Sequence, residues 1–323
     1  QYILKSRVDL IWNGGIGTYV KATAETNMEV GDRVNDSLRI NGKALRCRVF
    51  GEGGNLGLTQ QGRIEYCLNG GACNTDFIDN AGGVDCSDRE VNIKIALNQL
   101  VANGDLTGKQ RNLLLEDMTD SVADGVLHNS YRQTQAISLA KYKCSQNIYE
   151  YWRCITDWEA TGRLNRQLEY LPDDETLSER AKTGQNLTRP ELSVLVSYSK
   201  ILLKEDLAQS NIFDDTYIAQ AMFEMFPAKI IEQYPDCVTN HSLRNEIIIN
   251  QIANEIVNLM GLSFFQRQIT STGAEVGEVA CAYIELNEGM SATAEEIIEF
   301  CQGKIASFKI PRHVRFVTDW PMS

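Results

Sequence analysis

The chain has 323 residues, of which 43% are hydrophobic and 23% charged, and its formal net charge is −12. These values predict a folded protein of about two domains rather than a disordered one. The acidity argues against nucleic acid and anionic membrane surfaces as partners, because both require clusters of Lys and Arg. No apolar run approaches the ~18 residues of a spanning helix. The start of the chain has no signal-peptide pattern, so we expect a cytoplasmic protein with reduced cysteines.

Short strand-like runs and Gly-rich turns make up the first part of the chain. Residues 8–12, 46–50 and 74–78 have the composition of short strands, and the turns NGGIG, GEGGN and DNAGGVDCS follow them. From Asp88 the apolar residues take up helical spacing, which places the start of a helix next to Ser87. The pattern predicts α/β structure up to about residue 105.

The middle of the chain is predicted to be nearly all helical. Thr188 and Glu191 form a capping-box pattern, and Gly261 follows the last apolar residue of another helix. We expect helices at residues 114–126, 137–155, 188–207, 216–226 and 243–260, with an irregular connector at 163–185. After residue 285 the chain changes character. There, Thr293 and Glu296 begin a short helix that ends at Gly303, and IPRHVRFV reads as an edge strand.

The first two Gly-rich turns are candidate ligand loops. NGGIG follows a strand, and the carboxyl edge of an α/β sheet is where ligands bind. It lacks the G-x-G-x-x-G spacing of a pyrophosphate loop, and an ordinary strand–helix turn explains it equally well. In GEGGN, Gly53 and Gly54 permit close backbone approach, and the Asn55 amide can both donate and accept. That combination suits a nicotinamide carboxamide or ribose hydroxyls, although a simple turn remains an alternative.

The third turn, DNAGGVDCS, is a candidate carboxylate site. If Ser87 stands at a helix start, its hydroxyl and the free N–H groups of that turn bind an anion. The alternative is that Ser87 is only an N-cap. The nearby carboxylates could suggest a metal site, but an acidic first turn of the helix is the commoner explanation for Asp85, Asp88 and Glu90. The same plain interpretation applies elsewhere: the histidines are expected to be structural or solvated and the aromatic cluster to be core or packing surface (His128, His241, Tyr149, Tyr151, Trp152, Trp158).

Several long stretches resemble the large bacterial NAD-dependent glutamate dehydrogenases. They are VDLIWNGGIGTYVKA, VGDRVND, GEGGNLGLTQQGRIEY, NTDFIDNAGGVDCSDREVNIKI and LTRPELSVLVSYSK, and the similarity covers roughly residues 1–284. The resemblance implies the second half of a Rossmann-type coenzyme domain at 1–105 and a helical C-terminal domain at 106–284. It also implies NAD as cofactor, oxidative deamination of L-glutamate to 2-oxoglutarate and ammonia, and a homo-oligomer.

The resemblance assigns site residues as well. Coenzyme contacts fall on the three turns (Asn13, Gly14, Gly15, Gly53, Gly54, Asn55, Asn80), and contacts to the substrate γ-carboxylate fall on Asn80, Val84 and Ser87. Asp85 and Cys86 replace the small apolar pair usual in smaller glutamate dehydrogenases. The family's catalytic lysine and aspartate and its dinucleotide fingerprint are expected upstream of Gln1. No catalytic or metal-binding residue is therefore assigned, and we expect no appreciable turnover from this chain alone.

The tail is similar to a different family. EEIIEFCQGKIASFKIPRHVRFVTDWPMS resembles the C-terminal lid of AMP-forming acyl-CoA synthetases, but the T-G-K segment with that family's lysine is missing. We therefore hypothesise a chimeric chain, with an acyl-CoA synthetase-like fragment at 285–323. Two other functions stay open: a non-catalytic fragment that serves oligomerisation or as a scaffold, and part of an acyl-CoA ligase.

Overall fold

The computed structural model describes residues 1–264, 281–284, 292–301 and 313–316, and the chain divides into units Gln1–Phe264 and Phe265–Ser323. The first unit has four short strands: β1 (Leu10–Asn13), β2 (Val20–Lys21), β3 (Ile40–Asn41) and β4 (Val49–Glu52). β1 pairs with β4 in parallel, so that Leu10 faces Val49 and Asn13 faces Glu52. β2 pairs with β3, also in parallel.

The backbone at Ala72 extends the β1–β4 pair by one more parallel neighbour. Phe50 N donates to Ala72 O at 2.9 Å, and Ala72 N donates to Arg48 O at 3.1 Å. Two of the predicted strands are thus confirmed, each with its ends displaced by one to three residues along the chain. The strand predicted at 74–78 is wrong, because Asp76–Asp79 is a short helix. Thr and Asp favour helix starts, and the extended stretch ends before them.

The described residues of the first unit form twelve α-helices. They are α1 (Asn27–Val30), α2 (Gln60–Leu68), α3 (Asp76–Asp79), α4 (Ala81–Asn103), α5 (Gly108–Asp117), α6 (Thr119–Gln146), α7 (Ile148–Ala160), α8 (Asp174–Thr183), α9 (Arg189–Ala208), α10 (Ala228–Gln233), α11 (Pro235–Thr239) and α12 (Arg244–Met260). Short 3-10 helices lie at Arg33–Asn35, Gly42–Ala44, Ile212–Asp214 and Ile218–Met225. The described part of the chain is therefore mostly helical with few strands.

The helices with local start or stop signals are confirmed, and three other predicted helices differ from the structure. α9 begins at a capping box of Thr188 and Glu191, and α12 ends at Gly261. The single helix predicted over 114–126 is wrong, because Met118 ends α5 and precedes α6. The single helix predicted over 137–155 is also wrong, because Asn147 has φ −155° and separates α6 from α7. Its neighbours Cys144 and Ile148 are both buried, so the apolar stripe continues across the break. The connector predicted to be irregular contains α8, and the helix predicted at 216–226 is a 3-10 helix.

The start of α4 is the most consequential correction. The helix begins at Ala81, seven residues before the predicted start at Asp88. Gly82 lies against Val126 of α6, and a Cβ built on Gly82 would stand 3.6 Å from the Val126 side chain. A Cβ at that distance would make an ordinary van der Waals contact, so glycine is not required there. Because α4 packs on α6, tertiary contacts outweigh the low helix propensity of the Gly-Gly pair.

Buried apolar clusters stabilise the first unit, and two of them are formed by the residues that follow. The strands and α2 enclose an apolar cluster (Val20, Ile40, Leu45, Cys47, Phe50, Leu58, Tyr66, Cys73). Helices α4, α5, α6, α10, α11 and α12 contribute to a larger one that includes Ile93, Leu97, Met118, Val122, Ile230, Val238 and Ile248. No helix among the described residues combines the length and apolarity required to cross a membrane.

The second unit contains β5 (Cys281–Ile284), α13 (Ala294–Cys301) and β6 (His313–Phe316), and β5 pairs with β6 in parallel. Thr293 N donates to the Glu296 carboxylate at 2.8 Å, and Glu296 N donates to Thr293 Oγ1 at 3.2 Å. The predicted capping box, helix and strand of the tail are confirmed. The predicted helix end at Gly303 lies outside the described residues.

Candidate functional site

The carboxyl ends of the parallel strands bring the first two Gly-rich turns together. β1 ends at Asn13, and its carbonyl oxygen accepts hydrogen bonds from Gly53 N at 2.8 Å and Gly54 N at 3.0 Å. A Cβ on Gly54 would collide with the carbonyl oxygen of Gly15. The close approach of the two turns therefore requires glycine at position 54. Gly14 and Gly15 are exposed at the same edge of the sheet.

Asn80, the residue between α3 and α4, joins this edge. Its side-chain nitrogen donates to Asn55 Oδ1 at 2.6 Å and to the Gly54 carbonyl at 3.4 Å. Asn55 is exposed and Asn80 half-buried, so both amides are accessible to solvent at this edge of the strand pair. The residues predicted from three separate turns thus lie side by side.

The side chain of Asn13 carries an unused donor at the floor of this edge. Its Nδ2 is buried and has no hydrogen-bond partner within the described structure. Buried donors without partners are rare and carry a free-energy cost. A Cβ on Gly57 would collide with this nitrogen, so the far end of the 53–57 loop packs on it. A ligand carbonyl or hydroxyl oxygen is the kind of group that would satisfy this donor.

The predicted substrate residues lie on α4, but not as the sequence suggested. Because α4 begins at Ala81, Ser87 stands in its second turn, where backbone N–H groups bond within the helix. The prediction that Ser87 marks a helix start is therefore wrong, and only its exposed hydroxyl is available. Asn80, Val84 and Ser87 follow the spacing i, i+4, i+7, so they share one face of the helix.

The neighbouring acidic residues are occupied by other contacts. Asp85 pairs with Arg89 at 3.2 Å and accepts from Asn129 Nδ2 at 3.0 Å. Glu90 pairs with Lys94 at 3.0 Å. These carboxylates lie beyond the first turn of α4, which corrects their interpretation as an acidic helix start. Among the described residues no group of three or more potential ligands forms a metal site.

A buried ion pair closes the loop that presents Asn55, and reasoning from the sequence did not identify it. The Glu52 carboxylate accepts from Arg63 Nε at 2.7 Å, from Arg63 Nη2 at 3.0 Å and from Leu58 N at 3.0 Å. Glu52 is fully buried and Arg63 is 3% exposed. Burial raises the pKa of Glu52, and the hydrogen bonds from Arg63 oppose that rise. Glu52 thus fixes both ends of the 53–57 loop.

Two aspartates of α3 anchor the same loop. Asp76 accepts from Leu56 N at 2.8 Å and lies 3.3 Å from Arg63. Asp79 accepts from Glu52 N at 3.1 Å, and burial raises its pKa. Leu56 adopts a left-handed φ of 54°, a conformation that non-glycine residues rarely adopt. The surrounding hydrogen bonds hold this strained loop in place.

Contacts from the helical half reach the segment that precedes α3. Asn74 donates to Asp79 at 2.8 Å and accepts from Arg189 Nε of α9 at 2.9 Å. Gln60 of α2 donates to the carbonyl of Pro190 at 3.3 Å. The α9 start therefore supports the site through backbone and side-chain contacts.

Trp12 forms an aromatic surface beside the site. A Cβ on Gly51 would stand 2.5 Å from its ring, and one on Gly53 would stand 2.7 Å from its Nε1, so the indole lies over the glycine backbone of β4. The ring is 59% exposed. A signal for this contact was present in the sequence, because glycine in a strand marks close approach of another group.

His241 and the aromatic cluster are held by packing and hydrogen bonds within the protein. His241 is buried: its Nε2 lies 3.0 Å from Asn92 O, and its Nδ1 accepts from Leu243 N at 3.0 Å. Tyr151 and Trp158 are buried in the core, whereas Tyr149 stacks on Trp152 with ring centroids 6.0 Å apart. The expectations for this histidine and this aromatic cluster are confirmed.

Comparison with known proteins places these motifs in a family. The family described as bacterial NAD-glutamate dehydrogenase, catalytic domain, matches residues 1–140, and the one described as glutamate dehydrogenase, C-terminal, matches residues 184–298. The NAD-specific glutamate dehydrogenase of Pseudomonas aeruginosa is 57% identical over 282 residues, which are 87% of this chain and 17% of that protein. The enzyme of the same name from Mycobacterium tuberculosis is 38% identical, with the same two shares.

A second similarity is much shorter. The mitochondrial medium-chain acyl-CoA ligase of Bos taurus is 56% identical over 48 residues, which are 15% of this chain and 8% of that protein. The chain therefore spans 17% of the length of its dehydrogenase relative from Pseudomonas aeruginosa and 8% of that ligase. By its two family matches and its long similarity to NAD-specific glutamate dehydrogenases, the chain contains a bacterial NAD-glutamate dehydrogenase catalytic-domain segment at 1–140 and a glutamate dehydrogenase C-terminal segment at 184–298, and it carries a short acyl-CoA ligase-like segment.

Proposed function

We propose that this chain provides coenzyme and amino-acid contacts of an NAD-dependent glutamate dehydrogenase. The reaction is L-glutamate, NAD and water to 2-oxoglutarate, ammonia and NADH. The observation that carries the proposal is the 2.6 Å hydrogen bond from Asn80 to Asn55. It unites two turns separated by 25 residues at the carboxyl edge of a parallel strand pair, which is where α/β proteins bind nucleotides.

The coenzyme side of the proposal is Rossmann-like and uses the residues of the three turns. The unpartnered buried Nδ2 of Asn13 suits a carboxamide or ribose oxygen. The backbone of the glycines in the first two turns would be accessible to the nicotinamide ring, and the amides of Asn55 and Asn80 would lie at its border. The proposed coenzyme contacts are Asn13, Gly14, Gly15, Gly53, Gly54, Asn55 and Asn80. When bound, NAD supplies the hydride acceptor.

The amino-acid side of the proposal follows the face of α4 that starts at Asn80. The Ser87 hydroxyl offers a donor for the γ-carboxylate, and the Asn80 amide offers a second one when it gives up its 3.4 Å hydrogen bond to the Gly54 carbonyl. Exposed Val84 lies between them as an apolar contact. Because Asn80 belongs to both sets of contacts, it would orient the substrate relative to the nicotinamide. Placement of this kind lowers the barrier through proximity and orientation.

Binding, rather than turnover, is the sharpest test of this proposal. The chain is labelled with ¹⁵N-asparagine and titrated with NADH and then with 2-oxoglutarate, while the side-chain amide resonances are followed by NMR. We expect the resonances of Asn13, Asn55 and Asn80 to shift with NADH, and that of Asn80 to shift further with 2-oxoglutarate. The exposed Asn112 on α5 should not respond.

Three variants complete the test. Asn55→Ala and Asn80→Ala should each weaken NADH binding about tenfold, because a lost hydrogen-bond partner costs about 1–3 kcal/mol. The matched control Asn112→Ala should bind NADH as the parent chain does. Absence of NADH binding to the parent chain, or equal binding by all three variants, would refute the proposal.

Self-association of the helical half belongs to the same proposal. The family resemblance implies a homo-oligomer, and light scattering of the purified chain measures its mass directly. A dimer or larger species that forms without NADH binding would instead favour the oligomerisation or scaffold function.

A further inference from the structure

Two cysteines with no assigned role meet beside the site. The Sγ atoms of Cys67 and Cys73 lie 3.6 Å apart, as free thiols. Cys67 lies in the last turn of α2, and Cys73 follows the residue that pairs with β4. A disulfide requires an S–S distance of about 2.05 Å, so the sulfurs need to close by about 1.5 Å, within the reach of side-chain rotation.

The turn between them holds the two sulfurs together. Gly70 has a φ of 92°, in the left-handed region that favours glycine. A Cβ on Gly71 would collide with the ring of Tyr66, so the chain reverses tightly against that side chain. Gly71 N donates to the Tyr66 carbonyl at 3.1 Å. The backbone thus presents the pair in a fixed arrangement.

The two thiols differ in exposure and in charge environment. Cys67 is half-buried, whereas Cys73 is 4% exposed. The hydrogen bond from Cys73 lowers the pKa of Cys67, and the charge of Lys141 on α6 adds to that effect. The same contact and burial raise the pKa of Cys73. Because the thiolate is the nucleophile, Cys67 is the attacking sulfur and Cys73 the resolving one.

We propose that Cys67 and Cys73 form a reversible redox site that a hydroperoxide oxidises to an intrachain disulfide. The Cys67 thiolate attacks a peroxide oxygen, the O–O bond breaks, and a sulfenic acid and water (or an alcohol) result. The Cys73 sulfur then attacks the Cys67 sulfur, the S–O bond breaks, and a second water leaves. Two thiols and one hydrogen peroxide give one disulfide and two waters, so two electrons pass to the peroxide.

A dithiol reductant reverses the reaction by thiol–disulfide exchange. The inference is independent of the proposed dehydrogenase function, because it depends only on the geometry of the pair. Its position has a structural consequence: Asn74, next to Cys73, binds Asp79 and Arg189. Oxidation would therefore act on the segment that leads to Asn80.

The sequence supplies an internal control for the experiment. Trypsin releases residues 64–89 as one peptide with three cysteines, Cys67, Cys73 and Cys86, because no Lys or Arg lies between Arg63 and Arg89. Burial and the hydrogen bond to Glu90 raise the pKa of Cys86, so it should react slowly. The whole chain is treated with a small excess of hydrogen peroxide, quenched with catalase, denatured, alkylated with iodoacetamide and analysed by mass spectrometry.

We expect the peptide to carry one alkyl group, on Cys86, and to lack the two thiol hydrogens of Cys67 and Cys73. Treatment with dithiothreitol after the catalase quench and before alkylation should restore three alkyl groups. Cys73→Ser should leave a sulfenic acid that dimedone captures on Cys67, and Cys67→Ser should leave Cys73 reduced. The proposal would be overturned by either of two results on the parent chain, which are three alkylated cysteines after peroxide or a disulfide that includes Cys86. A dimedone adduct on Cys86 in the Cys73→Ser variant would overturn it as well. The parent chain alone decides the matter if either variant does not fold.

Discussion

Glu52 offers the clearest test of how the candidate loop is held. Glu52→Gln keeps the size of the side chain and an acceptor for Leu58 N, but it removes the negative charge that faces Arg63. Breaking a buried ion pair at one partner costs about 3–5 kcal/mol, because the other charge remains buried. Asp76 stays 3.3 Å from Arg63 and offsets part of that loss. We therefore expect the free energy of unfolding to fall by about 3 kcal/mol, at the low end of that range.

Urea unfolding followed by circular dichroism measures this change. With a slope of about 3 kcal/mol per molar urea, the midpoint should shift by about 1 M. The matched control is Glu90→Gln, which removes the same charge from a half-exposed pair with Lys94. Exposed pairs contribute about 1 kcal/mol or less, so the control should shift the midpoint by less than about 0.3 M. Equal shifts in the two variants would refute the argument that the buried Glu52 pair contributes more to the free energy of unfolding than the exposed Glu90 pair does.

Two further changes probe burial and close packing. Burial, with Lys204 and Arg132 nearby, lowers the pKa of Lys200 to about 8 from 10.5. The unfolded chain then binds more protons than the folded one between these values, so the free energy of unfolding should rise with pH across that window, by about 3 kcal/mol in all. Lys200→Met should abolish that rise in urea titrations at pH 7 and 10 and should stabilise the protein at pH 7 by about 2 kcal/mol; an unchanged rise would contradict this assignment. Gly54→Ala should lower the melting temperature because its Cβ meets the Gly15 carbonyl, whereas Gly83→Ala, with open space in α4, should be neutral or stabilising by up to about 1 kcal/mol; calorimetry that ranks the two alike would exclude the close-approach argument.

Sequence reasoning succeeded where the signals were local. Thr188, Glu191 and Pro190 predict the start of α9 because a capping box is formed within four residues, and the structure has that box. Gly261 ends α12 for a similar reason. The first two Gly-rich turns were recognised because a strand followed by glycine and asparagine indicates a loop at a sheet edge. These features depend on residues that are neighbours along the chain.

Features that depend on tertiary contacts could not be predicted in the same way. The Gly82-Gly83 pair indicates a turn by propensity, but packing of α4 on Val126 of α6 makes it helical. The burial of Glu52 with Arg63 was equally hidden, because a charged residue after a strand is usually solvated. Nothing in the spacing of Arg189 indicates that it reaches Asn74, 115 residues away.

The early start of α4 changes the chemistry expected of the proposed glutamate site. If the helix began at Asp88, free N–H groups beside Ser87 would bind the carboxylate, and loss of the hydroxyl would matter little. With the start at Ala81, those N–H groups bond within the helix and only side chains remain. The Ser87 hydroxyl and the Asn80 amide must then carry the carboxylate contact between them. On that argument Ser87→Ala should weaken 2-oxoglutarate binding about as much as Asn80→Ala does, while leaving NADH binding unchanged, and NMR titration of both variants distinguishes this arrangement from one that relies on the backbone.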